Sequence, residues 1–533
     1  MLEARRTIPQ RAPSRLLGAQ SRYSEAGCRL GGRGRQSIER ASRDRECDAL
    51  FEAGLGDILV FPTDIAYTES TSTYYSSENR RIRPYCIVQP RSTEDVSSTI
   101  KALGGVSGAG NWDVAVRSGG HSDYDNNAAH RGVTIDLTFF NSTELVKSSC
   151  FNGTAHWTGQ SVLTKNIARI RPAARWGNVM TYLEPYNLGV TGGRSGHVGV
   201  GGLLVSGGAS YHTQLYGFSC DNVVGYEVVL ADGSIVEANT EENADLFKAL
   251  KGGGSNLGIV TRFDLRTFTV PPTGAYGGLL FASWSDLDVV IDQFVSYASS
   301  IGSGSPDHEF VVYRSDAGNL AVMAMAVSTD GNENSTTFAP FNDITLTRDV
   351  RSKQPLSKIA ATIADTGGSH YIPFSLSLQA TAEIMNKSAE IFVALTQEFD
   401  ATSVPVSVNF VFQPLPKNLA AVTPGNNILG FDKNLPSDSI LFEARGTLAA
   451  TDAGYGGVVE SMMGKAIEEL RAYSASLEGH STFLYMNYAN PEQDVIGSYG
   501  AENVQFLKDA AAKYDPNGFF QYRVPGGWKV SRI

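Results

Sequence analysis

No run in this 533-residue chain approaches the eighteen uninterrupted apolar residues a membrane helix needs, which excludes an integral helical anchor. The N-terminal stretch has no apolar core, so it is not a recognisable secretory signal. No Gly-Lys-Ser/Thr triplet follows a glycine run, and a P-loop is therefore absent. The segment Gly199-Val200-Gly201-Gly202-Leu203-Leu204 lacks the third glycine at the spacing a nicotinamide dinucleotide site requires. Only eight histidines occur, and His130, His212 and His480 show no ligand spacing with Cys or a second His, so no metal is expected. Positive charge is scarce outside the first 45 residues. Met1 to Arg45 carry eleven Arg and four carboxylates, a balance of +7, which leaves −18 for the rest of a chain whose formal charge is −11. A body that acidic repels a phosphate backbone, and nucleic acid is not an expected partner.

What is present describes a folded protein with more than one core. The apolar fraction is 42% and the mean hydropathy −0.14, and the length exceeds what a single core usually organises. The Arg-rich leader, residues 1–45, admits two readings: an organelle-targeting segment, or a wrongly assigned first exon in place of a true signal peptide. Four Asn-x-Ser/Thr sites, at Asn141, Asn152, Asn334 and Asn386, weakly favour the second, since such triplets also arise by chance. On that reading the protein is a glycoprotein, secreted or in the lumen of the secretory pathway. Setting Cys28 aside leaves an even set, Cys47, Cys86, Cys150 and Cys220, enough for two disulfides. Five reduced, buried thiols fit the sequence equally well. A monomer is expected.

Local patterns place the elements. Ser92 to Leu103 reads as a helix, with Ser92 as cap, Asp95 three residues on, and Val96, Ile100 and Leu103 on one face. Strands are expected at Asp113 to Arg117, Thr134 to Leu137 and Ala168 to Ala174, then a helix near Asn178 to Leu183. Val223 to Leu230 and Ile235 to Ala238 form a hairpin around Asp232-Gly233. A helix at Ala244 to Leu250 and a strand at Ile259 to Leu265 follow. Pro271-Pro272 marks a boundary, after which helices at Leu287 to Ala298, Ala380 to Phe399 and Gly457 to Ala475 alternate with strands such as Phe310 to Tyr313 and Val406 to Phe412. This is an α+β pattern, a sheet with helices on one side. Phe483 to Tyr488 reads as a strand and Ala501 to Tyr514 as a helix.

Three glycine clusters stand out: Arg117 to His121, Gly189 to Gly208 with nine glycines in twenty residues, and Gly252 to Gly258. That density excludes helix or strand interiors in the second cluster. Glycine lets backbone approach a ligand and aim N–H groups at phosphate oxygens, so a pyrophosphate can be held without net positive charge. Any one cluster is as readily a surface loop. Three, each beside expected strands, are not.

The strings RPYCIVQPRSTEDVSSTI, VAVRSGGHS, VGVGGLLVSGG, YGFSCDNVVGYEVVLADGSIV, LFKALKGGGSNLGIVTRFDL, YMNYANPEQDVIGSYG and KYDPNGFF closely resemble the berberine-bridge-enzyme-like FAD-linked oxidases. These belong to the vanillyl-alcohol-oxidase superfamily with its PCMH-type FAD-binding domain. The resemblance runs from about Cys47 to Phe520 and is weak in the middle. It implies a two-domain fold: an FAD-binding domain over 46–270, a substrate-binding domain with a helix-covered antiparallel sheet over 271–478, and a segment over 479–533 returning to the FAD domain. It implies FAD as cofactor, with His121 of R-S-G-G-H-S bonded to the flavin. Relatives often add a second tether from a Cys three residues before V-G-x-G-G; here that residue is Ser195, so a single covalent link is expected. Ser206 stands where relatives commonly have a third consecutive glycine. The cofactor-binding residues expected from the resemblance are Arg117, Ser118, Gly119, Gly120, His121, Ser122, Ser195, Gly196, His197, Val198, Gly199, Gly201, Gly202, Gly207, Asp221, Gly258, Ile259, Val260 and Asn487. For His197 alone, a histidine satisfying loop carbonyls is the stronger expectation.

The same resemblance aligns Tyr488 of Y-M-N-Y with a tyrosine that serves as base in several relatives. A phenol with a reference pKa of about 10 needs nearby positive charge or hydrogen bonds to work near neutrality. Tyr485 shares its face if the segment is a strand, and Asn487 points the other way. Both tyrosines also fit as ordinary aromatic core. Gln413 in F-Q-P-L-P and Glu443 are candidates for the substrate side. The expected function is oxidation of a small molecule, a secondary metabolite or a sugar-like alcohol, with hydride removal and oxygen as acceptor giving hydrogen peroxide. An FAD dehydrogenase with another acceptor and a non-catalytic flavin scaffold are the alternatives.

Overall fold

The computed structural model describes residues 44–106, 111–147, 158–301, 304–316, 318–365, 367–422, 427–431 and 435–533. The expectations for the leader (all but its last two residues), Cys28, Cys150 and Asn152 lie outside the described residues.

The first sheet contains β1 (Leu59–Val60), β2 (Cys86–Val88), β3 (Asp113–Arg117) and β4 (Gly132–Asp136) in the order β1-β2-β4-β3, with β4 parallel to both β2 and β3. The helix Thr93–Gly104 packs Val96, Ile100 and Leu103 into this core. Its start is the expected one: Ser92 Oγ accepts from Asp95 N–H while the Asp95 carboxylate accepts from Ser92 N–H, a reciprocal capping box. A disulfide joins Cys47 to Cys86, tying the first helix, Arg45–Leu50, to β2. Cys220 is buried and free. Cys220 packs in the apolar core as a free thiol, and a second disulfide through it is not formed.

The second sheet holds β5 (Thr143–Val146), β6 (Leu163–Ile170), β7 (Leu188–Gly189), β8 (Val223–Val229), β9 (Ile235–Ala238) and β10 (Ile259–Thr269), the long β10 lying between β6 and β8. The strand expected at Ala168 to Ala174 lies earlier, because Ala174 is already in a turn before the helix Trp176–Leu183. The glycine-dense stretch is not all loop. It contains β7 and a short helix, Val200–Val205, in which Val200 and Leu204 are fully buried while Gly201 lies against Ser118. Burial of those two side chains, about 1.5–3 kcal/mol each, offsets the helix penalty of two glycines, roughly 1 kcal/mol each.

The third sheet is antiparallel and has eight strands: β11 (Ala275–Ser283), β12 (Asp307–Asp316), β13 (Asn319–Ser328), β14 (Leu346–Asp349), β15 (Ser352–Gln354), β16 (His370–Gln379), β17 (Val406–Leu415) and β18 (Ser439–Leu448). Its main order is β14-β11-β13-β12-β17-β18-β16, with β15 also pairing β11. Helices Leu287–Ser300, Ala382–Thr402 and Gly456–Ala475 supply Phe294, Phe392 and Met463 to one core with Tyr313, Phe410, Phe412 and Phe442 of the sheet. Strand alternation then turns Phe310, Val411, Gln413, Glu443 and Arg445 to the opposite face. The architecture is the α+β arrangement expected. Among the described residues no helix is long and apolar enough to cross a membrane.

One expected strand is absent. Phe483 to Tyr488 is irregular and ends in a turn closed by Tyr488 N–H on the Tyr485 carbonyl at 3.0 Å. Side chains replace ladder partners here: Leu484 N–H donates to Ser498 Oγ at 3.0 Å and Tyr485 N–H to Ser375 Oγ at 3.3 Å. The face argument that separated Asn487 from the two tyrosines therefore fails.

Candidate active site

A cavity of about 520 Å³ lies among the three sheets and the segment 485–489, within the size range of a cofactor site. Ser118, Gly119, Gly120, His121 and Ser122 line it from the loop after β3; Ser195, Val198, Gly199, Gly201 and Gly202 line it from the glycine stretch; Gly258, Ile259 and Val260 line it at the start of β10. Tyr485, Asn487, Tyr488 and Glu443 join them. The turn at 485–488 is what brings all three residues of that segment to one wall.

Glycine is required where two of these loops meet. A Cβ on Gly119 would stand 2.5 Å from Gly199 Cα, and one on Gly199 would stand 2.6 Å from Gly119 Cα. The loops can touch only because neither carries a side chain. Several amides of the glycine clusters are not free for a ligand: Val200 N–H is bonded to the Ala174 carbonyl, Gly201 N–H to Pro172, and Gly252 and Gly254 N–H both to Val205. Glycine here serves close approach more than a display of donors.

His121 is held flat against Tyr75, ring centroids 3.8 Å apart and planes 13° apart, and Tyr371 stacks behind Tyr75 at 4.4 Å. The hydroxyls of Tyr75 and Tyr371 both donate to Asp365 Oδ2, at 2.9 and 2.8 Å. Burial, with the positive charge of Arg445 nearby, pushes the imidazole down to about 3, so it is neutral and nucleophilic at physiological pH. Its Nε2 has no hydrogen-bond partner among the described residues. Beside it Arg445 pairs with Asp123 at 3.0 Å and Glu443 at 2.9 Å. Burial pushes the Asp123 carboxyl up to about 6 against the pull of Arg445.

The second focus is Tyr488. Its hydroxyl accepts from Arg194 Nη2 at 2.5 Å and donates to Gln413 Oε1 at 3.4 Å. The other Arg194 nitrogen, Nη1, meets His308 Nε2 at 3.1 Å, and the guanidinium lies 5.0 Å over the Phe310 ring. His308 is buried and held well below its ordinary range by that burial and by Arg194, which keeps it a neutral acceptor. Tyr485 meets Tyr488 edge-to-face at 4.9 Å, but its hydroxyl is occupied by Ala209 N–H at 2.6 Å and burial drives its pKa well above the usual value. Tyr485 packs; Tyr488 is the phenol with a cationic donor.

Several expected contacts lie elsewhere. Arg117 is buried behind the cavity, paired with Asp136 at 3.6 Å and donating to the Ser70 carbonyl and, at 2.7 Å, to Thr73. His197 is exposed and meets the Asp365 carbonyl at 3.1 Å, the carbonyl-satisfying role. Asp221 accepts from Asn427 at 2.7 Å in a buried pair, the Gly196 amide groups bond Ala360 and Gly177, and Gly207 packs under Tyr485. None of these five lines the cavity. Gln413 is also outside its lining and reaches it through Tyr488. Arg194 was missed by the motifs, although it is the sole Lys, Arg, Asp or Glu between Gly189 and Gly208. A charge stranded among glycines was the available signal.

The site defines a class: a neutral, unpartnered imidazole and a side-chain-free loop contact open onto a chamber of cofactor size, which suits a flavin nucleotide, and the chain is an FAD-linked oxidoreductase. The FAD-binding-domain family model matches residues 84–239. The FAD-dependent monooxygenase drtC of Aspergillus calidoustus is 33% identical over 502 residues, 91% of this chain and 90% of the relative. Among solved structures, xylooligosaccharide oxidase of Myceliophthora thermophila C1, in complex with xylobiose, shares the fold at TM-score 0.70 and 20% identity, over 90% of this chain and 98% of the other. A variant of berberine bridge enzyme with (S)-reticuline shares it at TM-score 0.69 and 15% identity, over 91% and 99%. The chain belongs to the family of FAD-linked oxidoreductases that includes this Aspergillus calidoustus relative, and it shares the fold of berberine bridge enzyme and of xylooligosaccharide oxidase.

Proposed function

We propose that this protein is an FAD-dependent oxidase of a small hydroxylic substrate, with the cofactor held by a single covalent bond to His121. Bound in this chamber, FAD would supply two-electron oxidation, with molecular oxygen as the final acceptor and hydrogen peroxide as its product. Tyr488 in its deprotonated form takes the proton of the substrate O–H as the adjacent C–H leaves with its electron pair. Arg194 balances the negative charge on the phenol oxygen and fixes its direction. Gln413, buried behind Tyr488, accepts from its hydroxyl and helps fix its direction. His121 is the tether and Ser195, lacking a thiol, leaves it single. The observation that carries the reading is the convergence of Arg194 and Gln413 on the Tyr488 hydroxyl in the chamber that His121 faces.

The acid-precipitated protein should retain yellow, fluorescent flavin on a denaturing gel, and His121→Ala should lose it. Colour that persists in His121→Ala would defeat the tether. The printed name of the Aspergillus calidoustus relative favours a second reading, insertion of an oxygen atom. Turnover under ¹⁸O₂ separates the two: the oxidase leaves the label in peroxide, the monooxygenase in the organic product. A secreted or secretory-lumen location completes the proposal, supported by the Cys47–Cys86 disulfide and by the exposure of Asn141, Asn334 and Asn386. A mobility shift on deglycosylation of protein from its native host tests it.

A further inference from the structure

Three ring planes lie nearly parallel at one end of the chamber: the His121 imidazole, Tyr75 at 3.8 Å and 13° from it, and Tyr371 at 4.4 Å and 7° from Tyr75. They come from three separate parts of the chain. Stacking alone leaves such rings free to slide and tilt, since offset and edge-to-face arrangements are close in energy. Here both phenol hydroxyls end on a single atom, Asp365 Oδ2, at 2.9 Å from Tyr75 and 2.8 Å from Tyr371. The other carboxylate oxygen accepts from Gly367 N–H at 2.9 Å, which fixes the plane of the carboxylate. Arg445 Nη1 adds a donor to the Tyr75 hydroxyl at 3.4 Å. Burial raises the Asp365 carboxyl, but the Gly367, Tyr371 and Tyr75 donors outweigh it and hold the group below the usual carboxylate range, ionised at physiological pH.

Asp365 reaches the stack from the connection between the helix Leu356–Thr362 and β16. That connection is joined to the main chain around Tyr75: Gly368 N–H donates to the Tyr75 carbonyl at 2.7 Å and Ser77 N–H to the Ser369 carbonyl at 2.8 Å. The approach needs glycine, because a Cβ on Gly367 would stand 2.4 Å from the Tyr75 carbonyl oxygen and its φ of +72° is left-handed. Tyr75 N–H in turn donates to the Gly120 carbonyl at 2.8 Å, one residue before His121. The backbone bonds set where Tyr75 sits, and Asp365 sets how its ring lies. The imidazole on that ring lines the chamber, with an Nε2 that makes no hydrogen bond among the described residues.

Resting on the tether reading above, we infer that Asp365 is a positioning residue for flavin attachment, fixing the Tyr75 and Tyr371 rings so that His121 presents Nε2 to the chamber in one orientation. Attachment joins that nitrogen to a methyl carbon of the flavin ring; one proton leaves the carbon and one leaves the imidazole. The electron pair of the broken C–H bond stays with the flavin until molecular oxygen takes it, with two protons, as hydrogen peroxide. Asp365 enters none of these bonds. It acts through Tyr75, by narrowing the directions from which the nucleophile can approach.

The test gives FAD in air to the full-length apoprotein and reads acid-stable flavin fluorescence over time, at FAD concentrations that saturate the rate so that weakened binding does not enter. Asp365→Ala should attach its flavin on the order of tenfold more slowly than wild type. Tyr75→Phe keeps the ring under His121 and deletes only its bond to Asp365, so it should slow attachment by a similar factor, and it decides the matter alone if Asp365→Ala does not fold. The double variant should be no slower than the slower single one, because both changes remove the same contact. Attachment by either single variant within about twofold of the wild-type rate, or slowing that multiplies in the double variant, overturns the inference and leaves the tether standing. A wild type whose flavin is all released by acid sinks the tether reading itself, and the inference with it.

Discussion

Replacing Arg194 by Met isolates the most consequential contact in the site. Met fills similar length and keeps the packing over Phe310 while removing both the charge and the donor to Tyr488, 2.5 Å from the phenol oxygen. A hydrogen bond involving a charged group contributes about 1.5–3 kcal/mol. If that contact acts in the transition state, the rate of flavin reduction should fall roughly 10- to 150-fold, at about 1.4 kcal/mol per decade. Arg194→Lys should recover part of the loss, since an ammonium keeps the charge but cannot hold Tyr488 and His308 together as a planar fork does. Anaerobic stopped-flow reduction gives the rate, and flavin retained after acid precipitation reports the tether in the same preparations. The reasoning is refuted if Arg194→Met reduces its flavin within twofold of the wild-type rate, or if the flavin content falls along with the rate.

Three further outcomes follow from the geometry. Tyr75→Ala removes the ring on which His121 lies and should lower the fraction of covalently bound flavin without abolishing it; an unchanged fraction at the earliest time after flavin addition to apoprotein would count against a clamping role. Cys47→Ser opens a cross-link spanning 39 residues of sequence, for which chain entropy predicts a loss of about 4 kcal/mol, read from the urea midpoint under oxidising conditions. His212, buried against Phe268, is pushed by burial down to about 3, so below pH 6.5 the unfolded chain takes up a proton that the folded one refuses. Stability should then decline from pH 6.5 toward pH 3, by up to about 1.4 kcal/mol per pH unit from this group, and His212→Phe should flatten that decline relative to wild type.

Legibility in the sequence tracked how local each determinant was. The Ser92–Asp95 box, the strand Asp113–Arg117, the hairpin at Asp232-Gly233 and the helix Ala501–Tyr514 are decided by residues within a few positions of each other, and all were readable. The family motifs likewise pointed to His121 and Tyr488, both of which line the chamber. What failed depended on distant partners. Phe483 to Tyr488 has the composition of a strand, but Ser498 and Ser375 take two of its amides, and Ser375 lies 110 residues away in sequence. The helix Val200–Val205 exists because Val200 and Leu204 find a core, which the glycine count alone cannot reveal. Asp221 carries a carboxylate in a conspicuous motif, yet Asn427, more than two hundred residues later, claims it. Arg194 gains meaning only from His308 and Tyr488, which belong to two other parts of the chain.

The chamber draws its wall from Tyr75 near one end of the described chain and from Trp528 near the other. Trp528 is fixed late in the sequence but anchored early, its carbonyl accepting from Asn256 and its indole N–H donating to the Gln493 carbonyl. A growing polypeptide on the ribosome therefore has no enclosed receptacle to offer until Trp528 has emerged and folded back. Loading of the prosthetic group becomes an event that follows synthesis of this segment, and a nonsense codon a few residues upstream of Trp528 would leave a protein with the glycine loops and His121 intact and an open back wall.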